Sequence, residues 1–470
     1  MKPLLAPWVG LFALLFTASG ALAENSEAGV RGWMTSVDGS KRLAVMSGIT
    51  TGPADSSIPP DIVVDAAQRF QPITGFGAAI TDASAWLIQT RMNEAARAEF
   101  LEEMFDRENG LGLSLTRVTI GASDFSQSHY TYADTPSMPR ADIDPARAHL
   151  IPTLKAMRGI NPDIRIIASP WSAPAWMKDS GSLIKGRLSR DRFRDFARYL
   201  VSYGRAMRKA GVQIDMLTLQ NEPHFEPADY PGMRVEPQER AAFIADELGP
   251  MMRKRLPGVK LLDWDHNWDE PESPLAVLAD ARANSFVDGI AWHCYGGDVS
   301  AQSLVQRQHP AKETWFTECS AGGWSGDWAK AFGWTVSQLV IGTTRNWARG
   351  VLMWNLVLDE NAGPHLGGCG NCRGLVTLDT VTGELTREPE YFAFAHASRF
   401  VRPGAVRIAS ESADKDVEHV AFQQGESGEI VLIVRNAGQE PRSLRIVQGA
   451  RAIVADLPAG AVATLSWEGP

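Results

Sequence analysis

The chain has 470 residues, of which 44% are hydrophobic and 21% are charged, and its net charge is −9 at pH 7. This composition is typical of a globular protein and excludes extensive disorder. The negative charge disfavours nucleic acid and anionic membranes as partners, because both repel a protein of the same sign. The length suits one α/β barrel of roughly 250 residues together with a smaller β unit.

The N-terminus has the pattern of a secretory signal. Lys2 precedes an apolar run over Val9–Phe16, and Ala21-Leu22-Ala23 is a small-residue cleavage sequence. The apolar run is short for a membrane span, which is the alternative interpretation. We therefore expect residues 1–23 to be a signal peptide that is removed, and the mature chain to be secreted or periplasmic with no transmembrane segment.

Between residues 75 and 394, eight short apolar runs alternate with helical patterns and predict a (β/α)8 TIM barrel. One helix is well marked, because apolar residues recur at spacings of three and four from Phe193 to Met207, and Gly211 can end it. The candidate strands are Gly75–Ala78, Ser114–Val118, Arg165–Ser169, Ile214–Leu219, Val259–Asp263, Val287–His293, Thr314–Thr317 and Val351–Leu356.

Both ends of the chain show another kind of β pattern. Short β runs separated by turn residues occupy residues 395–470, and residues 24–74 have a similar character. We expect one side β-sandwich domain built from both chain termini, beside the catalytic barrel of residues 75–394. The C-terminal candidates are Glu418–Phe422, Glu429–Val434, Ser443–Val447 and Ala461–Trp467.

Two glutamates follow candidate barrel strands, Glu222 in Asn221-Glu222-Pro223 and Glu318 in Thr317-Glu318-Cys319. The carboxyl ends of parallel strands carry the active site of a barrel enzyme. Paired glutamates suit glycoside cleavage, because one must arrive protonated to donate to the leaving oxygen and the other must be ionised. A three-residue match alone carries little weight, so the prediction depends on the pair and on nearby aromatic residues.

Three other residues lie beside these strand ends. Asn221 could hydrogen-bond a sugar hydroxyl. Tyr295 could bring its hydroxyl near Glu318 and hold the pKa of that carboxyl down, or it could be a buried tyrosine bonded to backbone. For His293, local sequence favours a packed, satisfied histidine.

Tryptophans at strand ends are candidates for sugar contact. Trp171 and Trp354 lie at the rim that bears the loops, which favours ligand contact for them over Trp176, and core packing is the alternative for each. Asp82 follows the first strand and could accept hydrogen bonds from a sugar or cap the next helix.

The chain has four cysteines, and export would permit disulfides. For Cys369 and Cys372 a local disulfide is favoured over a zinc site or a redox motif, since there is no second close pair and no strand-to-helix setting. We expect Cys294 and Cys319 to be free, small, buried residues.

The chain contains the motifs Gly75-Phe76-Gly77, Thr81-Asp82, Ser123-Asp124-Phe125-Ser126, Tyr130-Thr131-Tyr132-Ala133-Asp134, Ala168-Ser169-Pro170-Trp171, Gln220-Asn221-Glu222-Pro223, Gly289-Ile290-Ala291-Trp292-His293 with Tyr295, Thr317-Glu318-Cys319, and Trp354-Asn355-Leu356. Taken together, these motifs resemble glycoside hydrolase family 30, particularly its glucosylceramidase-like branch. The resemblance implies a barrel joined to a β-sandwich and retaining hydrolysis of β-glycosides without cofactor. It implies Glu222 as acid/base, Glu318 as nucleophile, Tyr295 as support for Glu318, and Asp82, Trp171, Asn221 and Trp354 as sugar contacts. Asn371 is the candidate for a further sugar-binding asparagine, in a loop rich in glycine and cysteine.

The expected function is exo cleavage of a β-glucoside, with a glycolipid such as glucosylceramide or an oligosaccharide as substrate. Endo-β-1,6-glucanase, β-xylosidase and β-fucosidase activities are the alternatives within the family. A non-catalytic carbohydrate-binding protein is the alternative from another class, although a binding site has no need for a matched acid and nucleophile. A metal-dependent hydrolase is disfavoured, because no H-x-x-x-H or carboxylate–histidine cluster stands out, so we expect no metal and no cofactor.

Overall fold

The structure is a computed structural model that describes residues 29–136 and 140–469; the predicted signal peptide lies outside these residues. Four strands come first: β1 (Val30–Thr35), β2 (Ala44–Val45), β3 (Thr50–Pro53) and β4 (Ile62–Pro72). None of them enters the barrel, because all four pair with strands of one ten-stranded sheet.

All eight predicted barrel strands form, and they close into a parallel barrel in the order β10-β11-β13-β5-β6-β7-β8-β9. Their ends differ from the predicted ends by a few residues. The strands of this central region are β5 (Gly75–Ala78), β6 (Leu115–Ile120), β7 (Arg165–Pro170), β8 (Met216–Thr218), β9 (Lys260–Asn267), β10 (Gly289–His293), β11 (Glu313–Glu318), the short β12 (Ala321–Gly322) outside the barrel, and β13 (Ala348–Met353).

Helices follow the barrel strands and cover their outer faces. In α5 the predicted apolar face is buried, and Gly211 ends the following turn with φ of 89°, which favours glycine. The helices are α1 (Asp82–Thr90), α2 (Glu94–Phe105), α3 (Asp144–Arg147), α4 (Leu150–Ile160), α5 (Phe193–Lys209), α6 (Pro237–Phe243), α7 (Gly249–Arg255), α8 (Glu272–Ala279), α9 (Ala281–Asn284), α10 (Ser300–Gln308), α11 (Trp328–Trp334), α12 (Thr343–Arg345) and α13 (Pro389–Ser398). Short 3₁₀ turns occupy Ala175–Met177 and Arg190–Arg192, and π-helical segments Ile244–Leu248 and Thr335–Gly342 join α6 to α7 and α11 to α12. Within the described residues, no helix is long and apolar enough to cross a membrane.

The inside of the barrel is built in two layers. The lower layer is a buried apolar cluster of Leu115, Ile167, Met216, Leu262, Ala291, Trp315 and Leu352. Because side chains of a strand return to the same face every second residue, the next inward positions lie nearer the carboxyl ends. On five strands those positions hold buried polar side chains, namely Arg117, Ser169, Thr218, His293 and Thr317. The apolar layer thus forms the floor of a polar site.

One strand departs from this alternation. In β9, Trp264 and Asp265 have φ of 76° and 54°, and the pairing of β9 with β10 shifts between Ala291 and Trp292. A bulge of this kind re-aims a side chain. It turns Asp265 into the polar layer, where the hydroxyls of Ser169 and Thr317 donate to its carboxylate over 2.6 and 2.7 Å.

The β-sandwich combines both ends of the chain, which confirms the predicted fold class. β1 pairs with β23, β3 with β22, and β4 with β18 and β21. All four C-terminal candidates form, and β18 and β22 are strands that sequence did not predict. The later strands are β14 (Val357–Asp359), β15 (Cys372–Arg373), β16 (Val376–Leu378), β17 (Leu385–Arg387), β18 (Val406–Glu411), β19 (Val417–Gln423), β20 (Ile430–Asn436), β21 (Arg442–Gln448), β22 (Arg451–Leu457) and β23 (Val462–Trp467).

Candidate active site

Glu222 lies on a tight turn after β8. Its φ is 46°, in the left-handed region that non-glycine residues rarely adopt. Two backbone hydrogen bonds hold the turn: the N–H of Glu222 donates to the carbonyl of Asp265 over 3.0 Å, and that of Asn221 donates to Pro170 over 2.8 Å. Strain of this kind persists only where the surroundings fix it, and it is frequent at functional sites.

Glu318 is the last residue of β11 and pairs in register with His293 at the end of β10. The Arg117 guanidinium donates to Glu318 Oε2. The Tyr295 hydroxyl donates to Oε1 over 2.9 Å, so Tyr295 lies where the sequence places it as a support for Glu318. Glu318 therefore has a charged donor and a neutral donor on its two carboxylate oxygens.

A chain of buried polar groups connects the two glutamates. His293 Nδ1 lies 3.0 Å from Glu222 Oε1, and its Nε2 lies 3.1 Å from Asp265 Oδ1. Arg117 donates to Asp265 Oδ2 over 2.7 Å and also to Glu318. The two carboxyl groups from distant strands therefore belong to one hydrogen-bonded network.

Sequence reasoning missed Arg117 and Asp265, and it favoured a merely packed role for His293. Arg117 and Asp265 are completely buried, and such charges are almost never buried without partners. The Asp265 carboxylate accepts five hydrogen bonds, two of them from Arg117 and His293. Burial raises the pKa of Asp265, but Arg117 and His293 outweigh it and hold the pKa well below its usual range. The sequence offers one signal for Arg117: it follows Leu115 by two residues, so both side chains lie on the same face of the strand.

One proton is shared between Glu222 and His293. Burial raises the pKa of Glu222, but the adjacent imidazoles of His266 and His293 outweigh it and bring the pKa to about 2. Burial lowers the pKa of His293, while Glu318 and the bonds to Asp265 and Glu222 raise it to about 9. With these pKa values, Glu222 is ionised and His293 is an imidazolium. The same number of protons allows a second form, in which Glu222 donates to His293 Nδ1 and His293 donates Nε2–H to Asp265.

The second form is the one that glycoside cleavage requires. Burial raises the pKa of Glu318, and the negative charges of Glu222 and Asp265 add to the effect of burial, against the lowering effects of His293 and Arg117. A proton on Glu222 removes one of those negative charges. Two close carboxyl groups are more stable with one ionised than with both, so a protonated Glu222 favours an ionised Glu318.

The predicted tryptophans pack against this network. Trp171 and Trp354 stack with ring centroids 5.0 Å apart, and the Arg117 guanidinium lies 4.8 and 5.5 Å from the two centroids. Both rings are 2–3% exposed, so they form one wall of the site. Trp176 lies elsewhere and donates its indole N–H to the carbonyl of Ala133 over 2.8 Å.

Asn221 and Asp82 are held by different partners. Asn221 Oδ1 accepts from Arg117 over 2.7 Å, which leaves its amide N–H groups for other acceptors. Asp82 is the first residue of α1, and its carboxylate accepts from Ser126 and Tyr130 over 2.7 and 2.9 Å. The helix cap is Thr81, so the alternative role of Asp82 as an N-cap is wrong.

The loop that carries Asn371 packs against the segment that follows Glu318. β12 pairs with β15, and the N–H of Gly323 donates to the carbonyl of Asn371 over 2.9 Å. Any side chain at Gly322 would collide here, because a Cβ would lie 2.3 Å from both Asn371 O and the Trp324 ring. The close approach holds the loop beside the segment that follows Glu318.

A further acidic residue, Asp124, belongs to the motif Ser123-Asp124-Phe125-Ser126. Burial and the charges of Glu318 and Glu222 raise its pKa to about 8. It is therefore a neutral carboxylic acid at neutral pH that is close enough to sense both glutamates.

The cysteines form two disulfides. The bond between Cys369 and Cys372 agrees with the favoured prediction. The expectation that Cys294 and Cys319 are free is wrong, since they are bonded to each other. Their strands are neighbours, and the two residues directly follow the paired His293 and Glu318, which brings them together despite 25 residues of separation.

The fold also makes a carboxylate–histidine cluster that the sequence does not reveal. One ligand atom each of Glu222, His266 and His293 lies within 4.8 Å of the others. The three residues come from different loops and strands, so no local motif could show it.

A large cavity lies elsewhere in the described part of the chain. It has a volume of about 930 Å³ and lies on the outer face of α5, with Arg194, Arg198 and Arg205 among its lining residues. It contains neither glutamate, and a catalytic site is located by its chemistry and not by cavity size.

A closed parallel barrel with a pair of glutamates joined by one network at the carboxyl ends of its strands, beside stacked tryptophans, defines a glycoside hydrolase of the barrel class. The glycosyl hydrolase family 30 TIM-barrel domain matches residues 73–401, and the family 30 beta sandwich domain matches residues 404–465. The chain belongs to glycoside hydrolase family 30.

Relatives with different substrates resemble the chain. An endo-1,6-beta-D-glucanase of Neurospora crassa is 32% identical over 393 residues, which cover 78% of this chain and 79% of the relative. The solved structure of an endo-beta1,6-glucanase is 30% identical with a TM-score of 0.88, covering 94% of this chain and 100% of the other. The lysosomal acid glucosylceramidase of Mus musculus is 27% identical over 412 residues, which cover 79% of this chain and 76% of the relative.

Proposed function

We propose that this glycoside hydrolase is a retaining endo-β-1,6-glucanase. The observation that carries the catalytic part is the network that joins Glu222 to Glu318 through His293, Asp265 and Arg117. A binding protein has no use for two glutamates whose proton affinities depend on each other.

In the proposed mechanism, Glu318 attacks the anomeric carbon while Glu222 protonates the glycosidic oxygen. A covalent glycosyl-enzyme forms, and Glu222 then takes a proton from the water that releases the sugar with its configuration retained. Arg117 opposes the rise in the pKa of Glu318, and Arg117 and Tyr295 orient its carboxylate for the attack, since both donate to it.

The substrate part of the proposal rests first on the relatives. Sequence reasoning favoured exo action on β-glucosides such as glucosylceramide, but the endo-1,6-glucanases are more similar to this chain than the mouse glucosylceramidase is. The alternative of an endo-β-1,6-glucanase is therefore better supported than the main expectation.

Three aromatic side chains at the rim give a second line of support. Phe225 follows Glu222, Tyr295 follows His293, and Trp324 follows Glu318; the three are 46–54% exposed. Exposed rings beside the catalytic groups can stack on successive sugars of a chain. A glucan chain uses such an extended surface, whereas a single terminal sugar has no need of it.

We also propose export, as the N-terminal pattern predicts, because a polymeric substrate is met outside the cytoplasm. Detection of a mature N-terminus at Glu24 in secreted or periplasmic fractions would support this proposal, and an intact Met1 terminus would contradict it.

The test is hydrolysis of a linear β-1,6-glucan, followed by product length and by proton NMR of the first anomer formed. We expect oligosaccharides of mixed length early in the reaction and the β-anomer first. Glucose alone would indicate exo action, and the α-anomer first would exclude the double displacement.

A substrate panel and one variant separate the remaining possibilities. Glucosylceramide and aryl β-glucosides, β-xylosides and β-fucosides should react more slowly than the glucan. Glu318→Gln should bind the glucan without cleaving it. If wild type and Glu318→Gln were equally inactive on every substrate, a carbohydrate-binding protein would be the better description.

A further inference from the structure

The Glu222 carboxylate lies between two imidazoles. His293 Nδ1 is 3.0 Å and His266 Nδ1 is 3.6 Å from the same oxygen, Oε1. One oxygen and two ring nitrogens thus converge on a small volume, in which the three ligand atoms are all within 4.8 Å of one another.

His266 has an unused nitrogen in this volume. The residue is 7% exposed, and its Nδ1 is buried without a hydrogen-bond partner among the described residues. The 3.6 Å that separate it from Glu222 Oε1 are too long for a hydrogen bond. A buried polar atom without a partner costs free energy, so a ligand that accepts its lone pair would be stabilised here.

The surroundings match those of a metal ligand set. A histidine that binds a metal usually donates its other ring N–H to a carboxylate, which fixes the ring. His293 Nε2 lies 3.1 Å from Asp265 Oδ1, and Asp265 is held in turn by Arg117. Two imidazoles and one glutamate are a zinc-binding combination, with a fourth position for water or another ligand.

The distances require only small adjustments. Zinc binds imidazole nitrogen at about 2.0–2.1 Å and carboxylate oxygen at about 2.0–2.2 Å. Ligand atoms that are 3.0 and 3.6 Å apart can therefore share one ion between them, and a small rotation of the His266 ring would complete the set.

We propose that Glu222, His266 and His293 form a binding site for a divalent transition-metal ion of the zinc type, and that the bound ion inhibits the enzyme reversibly. The inhibition rests on the proposed function of Glu222 as acid/base. An ion on Oε1 would occupy the carboxylate that must carry the proton, so glycosidic bond cleavage would stop until the ion leaves.

Binding is tested first, with Zn²⁺ as the probe and calorimetry on the full chain after treatment with chelator. We expect one Zn²⁺ per chain. His266→Gln should weaken Zn²⁺ binding by roughly tenfold or more, because the loss of a residue that only supports a metal ligand already costs about that much affinity. His365→Gln is the matched control, because His365 lies in a different loop, where its Nδ1 is 3.0 Å from the Gly367 carbonyl. It should bind Zn²⁺ as the wild type does.

Inhibition is measured as the ratio of activity with and without Zn²⁺ within each variant. The wild type and His365→Gln should lose activity in Zn²⁺ and regain it with chelator, whereas His266→Gln should respond weakly. If His266→Gln does not fold, His266→Asn provides the same comparison. Equal Zn²⁺ binding by wild type and the His266 variant, or no binding at all, would overturn the proposal. A wild type that binds Zn²⁺ but cleaves no glycoside would overturn the proposed function and leave the site intact.

Discussion

Replacing Arg117 is the most direct test of the network, because this side chain donates to both Glu318 and Asp265. The guanidinium is fully buried, with Asp265 Oδ2 at 2.7 Å. Arg117→Met keeps an extended side chain but leaves two buried carboxylates without their cation. Removing one partner of a buried ion pair costs about 3–5 kcal/mol, and we expect the free energy of unfolding to fall by that amount.

The folded fraction of Arg117→Met should also be a poor enzyme. Burial raises the pKa of Glu318, and Arg117 is one of the two groups that oppose this rise. Without it Glu318 would hold its proton to a higher pH. We expect kcat/KM to fall by at least about 100-fold, or about 2.7 kcal/mol, and the acid limb of its pH profile to move upward.

Arg240→Met is the matched control. Arg240 is equally buried and donates to the buried Asp263 over 2.9 Å, but it contacts neither glutamate. Urea unfolding gives the stability of each variant, and kcat/KM per folded molecule gives the activity. The reasoning predicts a stability loss in both variants and an activity loss in Arg117→Met alone. Equal activity losses, or a folded Arg117→Met with wild-type kcat/KM, would refute it.

Three further predictions concern stability and the rim. Burial lowers the pKa of His396 to about 3, far below that of an unfolded chain, so its neutral form contributes stability that is complete above pH 6.5 and is lost as the pH falls toward 3. In urea unfolding between pH 7.5 and 4.5, the free energy of unfolding should decline less for His396→Gln than for the wild type. An equal decline would contradict this. Breaking the disulfide in Cys294→Ser/Cys319→Ser should lower kcat more than KM, because the bond fixes residues beside His293 and Glu318; unaltered kinetics would show that strand pairing suffices. Trp324→Ala should raise KM for the β-1,6-glucan with little effect on an aryl β-glucoside. Trp334→Ala, at an exposed tryptophan of α11, should change neither. An equal effect of Trp324→Ala on both substrates would exclude a role in binding the glucan chain.

Strand periodicity made the barrel predictable. Each barrel strand contains several apolar or β-branched residues close together, as burial on both faces of a parallel sheet favours. The two glutamates were also predictable from the sequence, since each follows such a run and the carboxyl ends of parallel strands lie at the same end of a barrel. The strands β18 and β22 were missed; their sequences mix charged residues with apolar ones, as β-sandwich strands with one solvated face do.

The buried network around Arg117 and Asp265 was not predictable in the same way. Asp265 enters the site through a bulge in which two non-glycine residues have positive φ. No residue type in the sequence predicts that conformation. Arg117 sits inside a strand, where a charged residue ordinarily faces solvent. The bond between Cys294 and Cys319 depends on the pairing of β10 with β11, which only the folded barrel specifies.

The buried network limits how many carboxyl groups of the site can be ionised together. Two carboxylates and one cation in a buried layer leave a negative charge that a further ionised carboxyl would increase. A proton on Glu222, donated to His293, avoids this increase. In the mechanism that we propose, the same proton is the one that Glu222 gives to the leaving oxygen. When Glu222 gives that proton away, the lone pair of His293 Nδ1 faces a new carboxylate at 3.0 Å, a repulsive contact that disappears when Glu222 takes a proton from water. The arrangement that stabilises the resting site therefore also favours the second step of the reaction.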